Sequence, residues 1–271
     1  MKKPRTVAVF PTLLTLGNLF CGFFAIVVAA RIDKPGSMAA SMADTTNITL
    51  AAWLIFLAMV FDALDGYVAR LSGTSSDFGA QLDSLCDLVT FGVAPAFLLV
   101  KMCPRFAYMH EHFVWVIAAA FAGAAALRLA RFSLETDDED DHLHFMGLPT
   151  PAGAAAVASF AILFYTLRQK HVGLPFAHQF DVAVQMALPY FALLVAVLMV
   201  SRIPYPHVVS QVLSGQRSFA HVVAVLFSLV AVMALRGYAV PLICCGFVLV
   251  GPARLLWGRY VERRRQRESW F

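Results

Sequence analysis

Four aspartates stand where carboxylates are expensive. Asp62 and Asp65 lie at the end of one long apolar run, and Asp83 and Asp87 lie at the start of the next. Of the seventeen acidic residues, only these four sit inside hydrophobic runs; the others are read as belonging to polar loops or tails. An acid at that depth costs about 2.5–3.5 kcal/mol on insertion scales. Four of them close together need compensation, and a bound divalent cation is the simplest form of it. Asp62 and Asp65 are three apart, so they share a helix face and differ by about 4.5 Å in height. Asp83 and Asp87 are four apart and also share a face. The link over 71–78 is short and rich in Ser, Thr and Gly. That predicts two antiparallel neighbouring helices, with all four carboxylates converging at one depth. Hard oxygen ligands in that number suit Mg²⁺, Mn²⁺ or Ca²⁺ and not zinc. Gly66, Ala69 and Gly79 are small and leave room for a ligand to approach the backbone.

The full pattern is Asp62-x2-Asp65-Gly66-x2-Ala69-Arg70-x8-Gly79-x3-Asp83-x3-Asp87. At every fixed position it resembles the signature of the CDP-alcohol phosphotransferases. Eight fixed residues within 62–87 make that a specific signal. The resemblance implies a membrane enzyme that moves a phosphatidyl group from a CDP-activated lipid to an alcohol and releases CMP. It implies that Asp62, Asp65 and Asp83 hold metal against the diphosphate. Asp87 would also face the metal and accept the proton of the acceptor hydroxyl. Gly66, Ala69, Arg70 and Gly79 would line the site of the CDP-lipid, with Arg70 meeting phosphate or nucleotide. No organic cofactor is implied, and a homodimer is.

Three further segments resemble the serine-using branch of that family. They are Arg128-Leu129-Ala130-Arg131-Phe132, Gly147-Leu148-Pro149-Thr150-Pro151-Ala152 and Ser201-Arg202-Ile203-Pro204-Tyr205-Pro206. The branch often continues its arginine motif with Asn, where this chain has Ser133, and the family often opens with Pro-Asn, where this chain has Pro11-Thr12. The expected reaction joins the phosphatidyl group of CDP-diacylglycerol to the hydroxyl of L-serine, giving phosphatidylserine and CMP. Arg128 and Arg131, three apart on one face, read either as interfacial anchors or as a clamp for an anionic group, phosphate or the acceptor carboxylate. The Asp signature alone also fits sister enzymes that use glycerol 3-phosphate, inositol phosphate or choline. A transporter or channel with intramembrane carboxylates explains the acids but not the Gly-Ala-Arg pattern between them. Prenyltransferases place their Asp motifs far apart in sequence, unlike this single block.

The elements that must position these residues are membrane spans. The chain has 271 residues, 60% of them hydrophobic, and a mean hydropathy of +0.72. Those values exclude an ordinary soluble domain and indicate an all-α, polytopic helix bundle. Apolar windows predict eight spans near 8–30, 48–69, 80–100, 113–132, 151–168, 183–201, 219–235 and 239–257, in a single membrane domain over 1–271. The basic start and first apolar run look superficially like a signal peptide. The run is too long for one and no cleavage site follows, so it reads as a retained span. With both termini in the cytoplasm, fourteen of the twenty-one Lys and Arg fall on the inner side. That orientation puts the aspartates at the cytoplasmic face, and the basic excess then addresses anionic membrane lipids and not nucleic acid. A bacterial inner membrane is the expected location.

The remaining features are read as structural. The five cysteines, Cys21, Cys86, Cys103, Cys244 and Cys245, have irregular spacing and read as small buried hydrophobes. Thr15 and Asn18 share a face of the first span, either as packing glue or as a polar wall of the substrate cleft. His110-Glu111-His112 is placed in an outer loop near 101–112, with no metal role. The acidic run 137–141 reads as a solvated loop, and the basic tail Arg259 to Arg267 as a helix end at anionic lipid.

Overall fold

A computed structural model describes residues 9–32, 42–72, 77–135, 147–169, 177–203, 205 and 236–268. Within a bilayer no water is available to the backbone, so a long apolar segment must satisfy its own N–H and C=O groups as helix. All regular structure among the described residues is helical. The helices are α1 (Val9–Ala30), α2 (Met42–Ser72), α3 (Asp77–Asp87), α4 (Ala94–Met102), α5 (Pro104–Glu135), α6 (Thr150–Gln169), α7 (Ala177–Val200) and α8 (Ala239–Glu268). A π-helical segment, Leu88–Val93, joins α3 to α4 without a break.

Six stretches are long and apolar enough to cross a membrane: Pro11–Ala30, Asp44–Val68, Phe78–Met102, His112–Ser133, Thr150–Leu167 and Gln179–Val200. They coincide with the first six spans read from sequence. The expected seventh, 219–235, lies outside the described residues, as does the acidic run 137–141. The expected eighth corresponds to the shorter apolar part of α8, Ala239–Leu255.

Three boundaries differ from the expectation. The polar stretch before the second span is shorter, because α2 begins at Met42 and carries Asp44 in its first turn. The region near 101–112 is helix and not loop: α5 starts at Pro104 and kinks at His110 (φ −144°, ψ 57°). His110 packs tilted against Phe106 and edge-on to Phe113, and His112 edge-on to Trp115, so aromatic contacts occupy both rings. Asp181, assigned above to a polar loop, lies inside α7 and is buried. The helix starts six residues before the expected apolar window, and Gln185 Nε2, one turn along, donates to Asp181 Oδ2 at 2.8 Å.

Helices cannot be driven together by burial of apolar surface in lipid, so close packing of small residues matters more. α1 lies along α2, with Ala25, Ala29, Ala51, Ala52 and Ala58 enclosed between spans. α6 is the most enclosed span, lined by Ala154, Ala156, Ala158 and Ala161. Large apolar side chains point outward instead, among them Phe20, Phe23, Phe24, Trp53, Phe113, Trp115 and Val116. That inside-out pattern is what a lipid solvent selects. The five cysteines are free thiols, three buried and two partly so.

Inter-helix ties define two ends of the bundle. At one end Lys101 Nζ, in the last turn of α4, donates to the Ile32 carbonyl beyond α1 at 2.9 Å. At the other, the Leu148 and Gly147 N–H groups before α6 donate to the carbonyls of Leu198 and Ile203 at the close of α7. That second end also receives the end of α2 and the start of α3. It is the carboxylate face.

Candidate active site

The site is built first from α2 and α3. Asp62 and Asp65 ride the last turns of α2, and Asp83 and Asp87 the last two turns of α3. Of the four, Asp62, Asp83 and Asp87 each offer a carboxylate oxygen, and these oxygens lie within 4.8 Å of one another. Asp65 stands outside that trio. It is buried and lies beside Thr15 of α1. The offset is geometric: three helical residues advance about 300° around the axis, leaving Asp65 roughly 60° from Asp62.

A divalent cation fits what is present. The donors are all hard oxygens. Asp83 Oδ1 and Asp65 Oδ2 are buried without a protein hydrogen-bond partner, and such acceptors are costly unless something positive meets them. Asp62, Asp83 and Asp87 could hold the ion. Gly66 and Gly79 are partly buried beside the acids in sequence; the side chains of Ala69 and Arg70 lie outside the described ones.

Asp87 has a dedicated partner. Asn18 Nδ2, in α1, donates to Asp87 Oδ1 at 2.8 Å, and Asn18 has no exposed surface. Three residues further, Thr90 Oγ1 donates to the Asn18 carbonyl at 3.2 Å. The approach is close because Gly22 faces Thr90: a Cβ at Gly22 would come to 2.7 Å from the Thr90 Cα. Asp87 also directly precedes the π-helical segment, whose widened turn closes with the Ala94 N–H bonding to the Val89 carbonyl five residues back. Of the two readings given for Asn18, the structure therefore favours a place in the site wall.

Sequence reasoning had no signal for the π turn or for Thr90. Gly22 inside an apolar run was the available hint, since glycine in a span marks a close approach.

The arginines enter from α5. Gly92 of the π segment faces Ala125, whose Cβ would be 3.2 Å from a Cβ on the glycine. Arg128 and Arg131 lie one and two turns beyond Ala125 toward the carboxylate face. Arg128 Nη1 donates to Thr150 Oγ1, at the first residue of α6, at 2.8 Å. The motifs at Gly147 and Ser201 are brought together as well, by the Gly147 N–H donating to the Ile203 carbonyl at 2.9 Å. Three segments far apart in sequence thus meet at one face. Arg202, on the third, is exposed there.

Comparison with known proteins follows the same segments. The sequence model of the family described as CDP-alcohol phosphatidyltransferase matches residues 8–200. The chain is 32% identical over 198 residues to the CDP-diacylglycerol–serine O-phosphatidyltransferase of Helicobacter pylori, covering 73% of this chain and 72% of that one. It is 39% identical over 153 residues to the enzyme of the same name from Methanocaldococcus jannaschii, covering 56% and 62%. Against the enzyme of that name from Saccharomyces cerevisiae the identity is 35% over 154 residues, covering 55% and 51%. The matched stretch contains every helix that carries a carboxylate or arginine of the site, and the chain belongs to the CDP-alcohol phosphatidyltransferase family.

Proposed function

We propose that this chain is an integral membrane enzyme that transfers the phosphatidyl group of CDP-diacylglycerol to L-serine, giving phosphatidylserine and CMP. The observation that carries this reading is the trio Asp62, Asp83 and Asp87 at the ends of two neighbouring spans. The acceptor follows from the serine-using relatives and from the arginine, Gly-Leu-Pro and Ser-Arg-Ile-Pro segments that join at the same face.

Asp62, Asp65, Asp83 and Asp87 are the residues to hold a divalent metal, with Mg²⁺ and Mn²⁺ preferred and Ca²⁺ a third candidate. When bound there, the metal supplies charge neutralisation at the diphosphate and at the departing CMP. Gly66, Ala69 and Gly79 give the nucleotide end of the lipid access to the backbone, and Arg70 meets its phosphates. Asp87, oriented by Asn18, takes the proton from the serine hydroxyl. The serine oxygen then forms a bond to the phosphatidyl phosphorus as the bond to CMP breaks, without a covalent enzyme intermediate. Arg128 and Arg131 face the serine carboxylate, for which a planar guanidinium fork is suited.

The same reading carries a topology. Eight spans in one membrane unit are read from the apolar windows, and the two-to-one bias of Lys and Arg supports both termini in the cytoplasm. The site then opens to the cytoplasmic side of a bacterial inner membrane, where the nucleotide leaves into water and the acyl chains stay in lipid. A homodimer belongs to this reading, and cross-linking in native membranes tests it. Purified protein given CDP-diacylglycerol and each of serine, glycerol 3-phosphate, inositol phosphate and choline, with and without chelator, tests the reaction. CMP release with serine alone, lost on chelation, is the expected result. Release with another alcohol, or none with any, overturns the assignment.

A further inference from the structure

The loop entering α6 is fixed more firmly than a connection requires. The Gly147 N–H is held by the Ile203 carbonyl at 2.9 Å and the Leu148 N–H by the Leu198 carbonyl at 3.0 Å. Gly147 takes φ 91°, a conformation side chains rarely adopt, and a Cβ there would come to 2.9 Å from the Ser201 carbonyl. Leu148 and Thr150 have no exposed surface. The result is a shelf built from the end of α7 that sets Thr150 at one place. Its hydroxyl oxygen accepts a hydrogen bond from Arg128 Nη1 at 2.8 Å.

A threonine at the first position of a helix has no preceding helical turn whose carbonyl would take its hydroxyl, and it commonly serves as a local cap. Here the buried hydroxyl is directed to a cation on another span. A long arginine side chain has many rotamers, and recognising a carboxylate through a planar fork demands one orientation. We propose that Thr150 is a positioning residue for the acceptor. It holds the Arg128 guanidinium in the orientation that receives the carboxylate of the incoming amino acid. The inference rests on the reading that Arg128 meets the acceptor, and it adds the shelf at Gly147 to Thr150 as the device that sets acceptor affinity.

The test is steady-state CMP release with serine and CDP-diacylglycerol varied in turn. The variants are Thr150→Val, Thr150→Ser, Arg128→Ala and Arg128→Ala/Thr150→Val, each checked for melting temperature in detergent. Thr150→Val keeps the volume and removes the acceptor. The expected result is a rise in serine KM of about tenfold or more, the scale of one hydrogen bond to a charged group. The KM for CDP-diacylglycerol and kcat at saturating serine should move far less. Thr150→Ser should restore the serine KM, and the double variant should be no worse than Arg128→Ala. A wild-type serine KM in Thr150→Val, equal changes in both KM values, or full additivity on Arg128→Ala overturns the positioning role. If Arg128→Ala itself leaves the serine KM unchanged, the acceptor reading of Arg128 falls first and this inference falls with it.

Discussion

Asn18 Nδ2 lies 2.8 Å from Asp87 Oδ1, across the interface between the first and third spans. Both residues are buried. A neutral amide can orient a carboxylate without neutralising it, which suits the base role proposed for Asp87. Asn18→Ala should therefore lower kcat by about 10–100-fold, the scale of one hydrogen bond to a charged group. CDP-lipid affinity should change little. Unaltered turnover in a folded Asn18→Ala protein would show that Asp87 needs no orienting partner.

Asp87→Asn should abolish transfer while leaving CDP-diacylglycerol binding largely intact. Equilibrium binding of the lipid, measured beside CMP release, separates the two. Full activity in this variant would remove Asp87 from the role of base.

Asp83 offers a ligand oxygen to the trio, and its Oδ1 has no protein hydrogen-bond partner. Chelation should stop CMP release, and added Mg²⁺ or Mn²⁺ should restore it. Loss of outer-shell partners alone weakens metal sites about 10–100-fold. Asp83→Asn should raise the Mg²⁺ concentration for half-maximal activity by no less than about tenfold. An unchanged Mg²⁺ titration would place the ion elsewhere.

Arg131 stands one turn beyond Arg128 on α5. Arg131→Ala should raise the serine requirement far more than the CDP-lipid requirement. Equal effects on both would assign it to a phosphate instead.

Two packing contacts can be tested by stability. Gly22→Ala puts a methyl group against the backbone of Thr90, which cannot yield as a flexible side chain would. Overpacking of that kind costs about 1–3 kcal/mol, and it should lower both the melting temperature and turnover, because Thr90 is bonded to Asn18. Tyr205 OH donates to the Val248 carbonyl at 2.9 Å, and burial pushes the phenol up from 10.0 to about 12. The neutral form is the one the fold retains. Its contribution is complete below pH 10 and fades as the pH rises through about 12. Tyr205→Phe should cost about 0.5–1.5 kcal/mol at neutral pH. The gap between the two proteins in melting temperature should close over that alkaline window.

Much of this protein is legible in one dimension because lipid imposes a one-dimensional rule. A segment of about 20 apolar residues must be helix, so the first six spans could be read by length alone. The same rule makes charge conspicuous, which is why Asp62, Asp65, Asp83 and Asp87 were visible as a set. Asp181 escaped because it lies at the margin of its apolar window, where a polar residue reads as loop until packing buries it. Tertiary structure alone decided how the carboxylates divide, with three around one point and Asp65 turned toward α1. It also decided that Asn18 and Thr150 meet Asp87 and Arg128. Each of those contacts joins residues on different spans, and periodicity along a helix carries no information about which neighbouring span will meet its face.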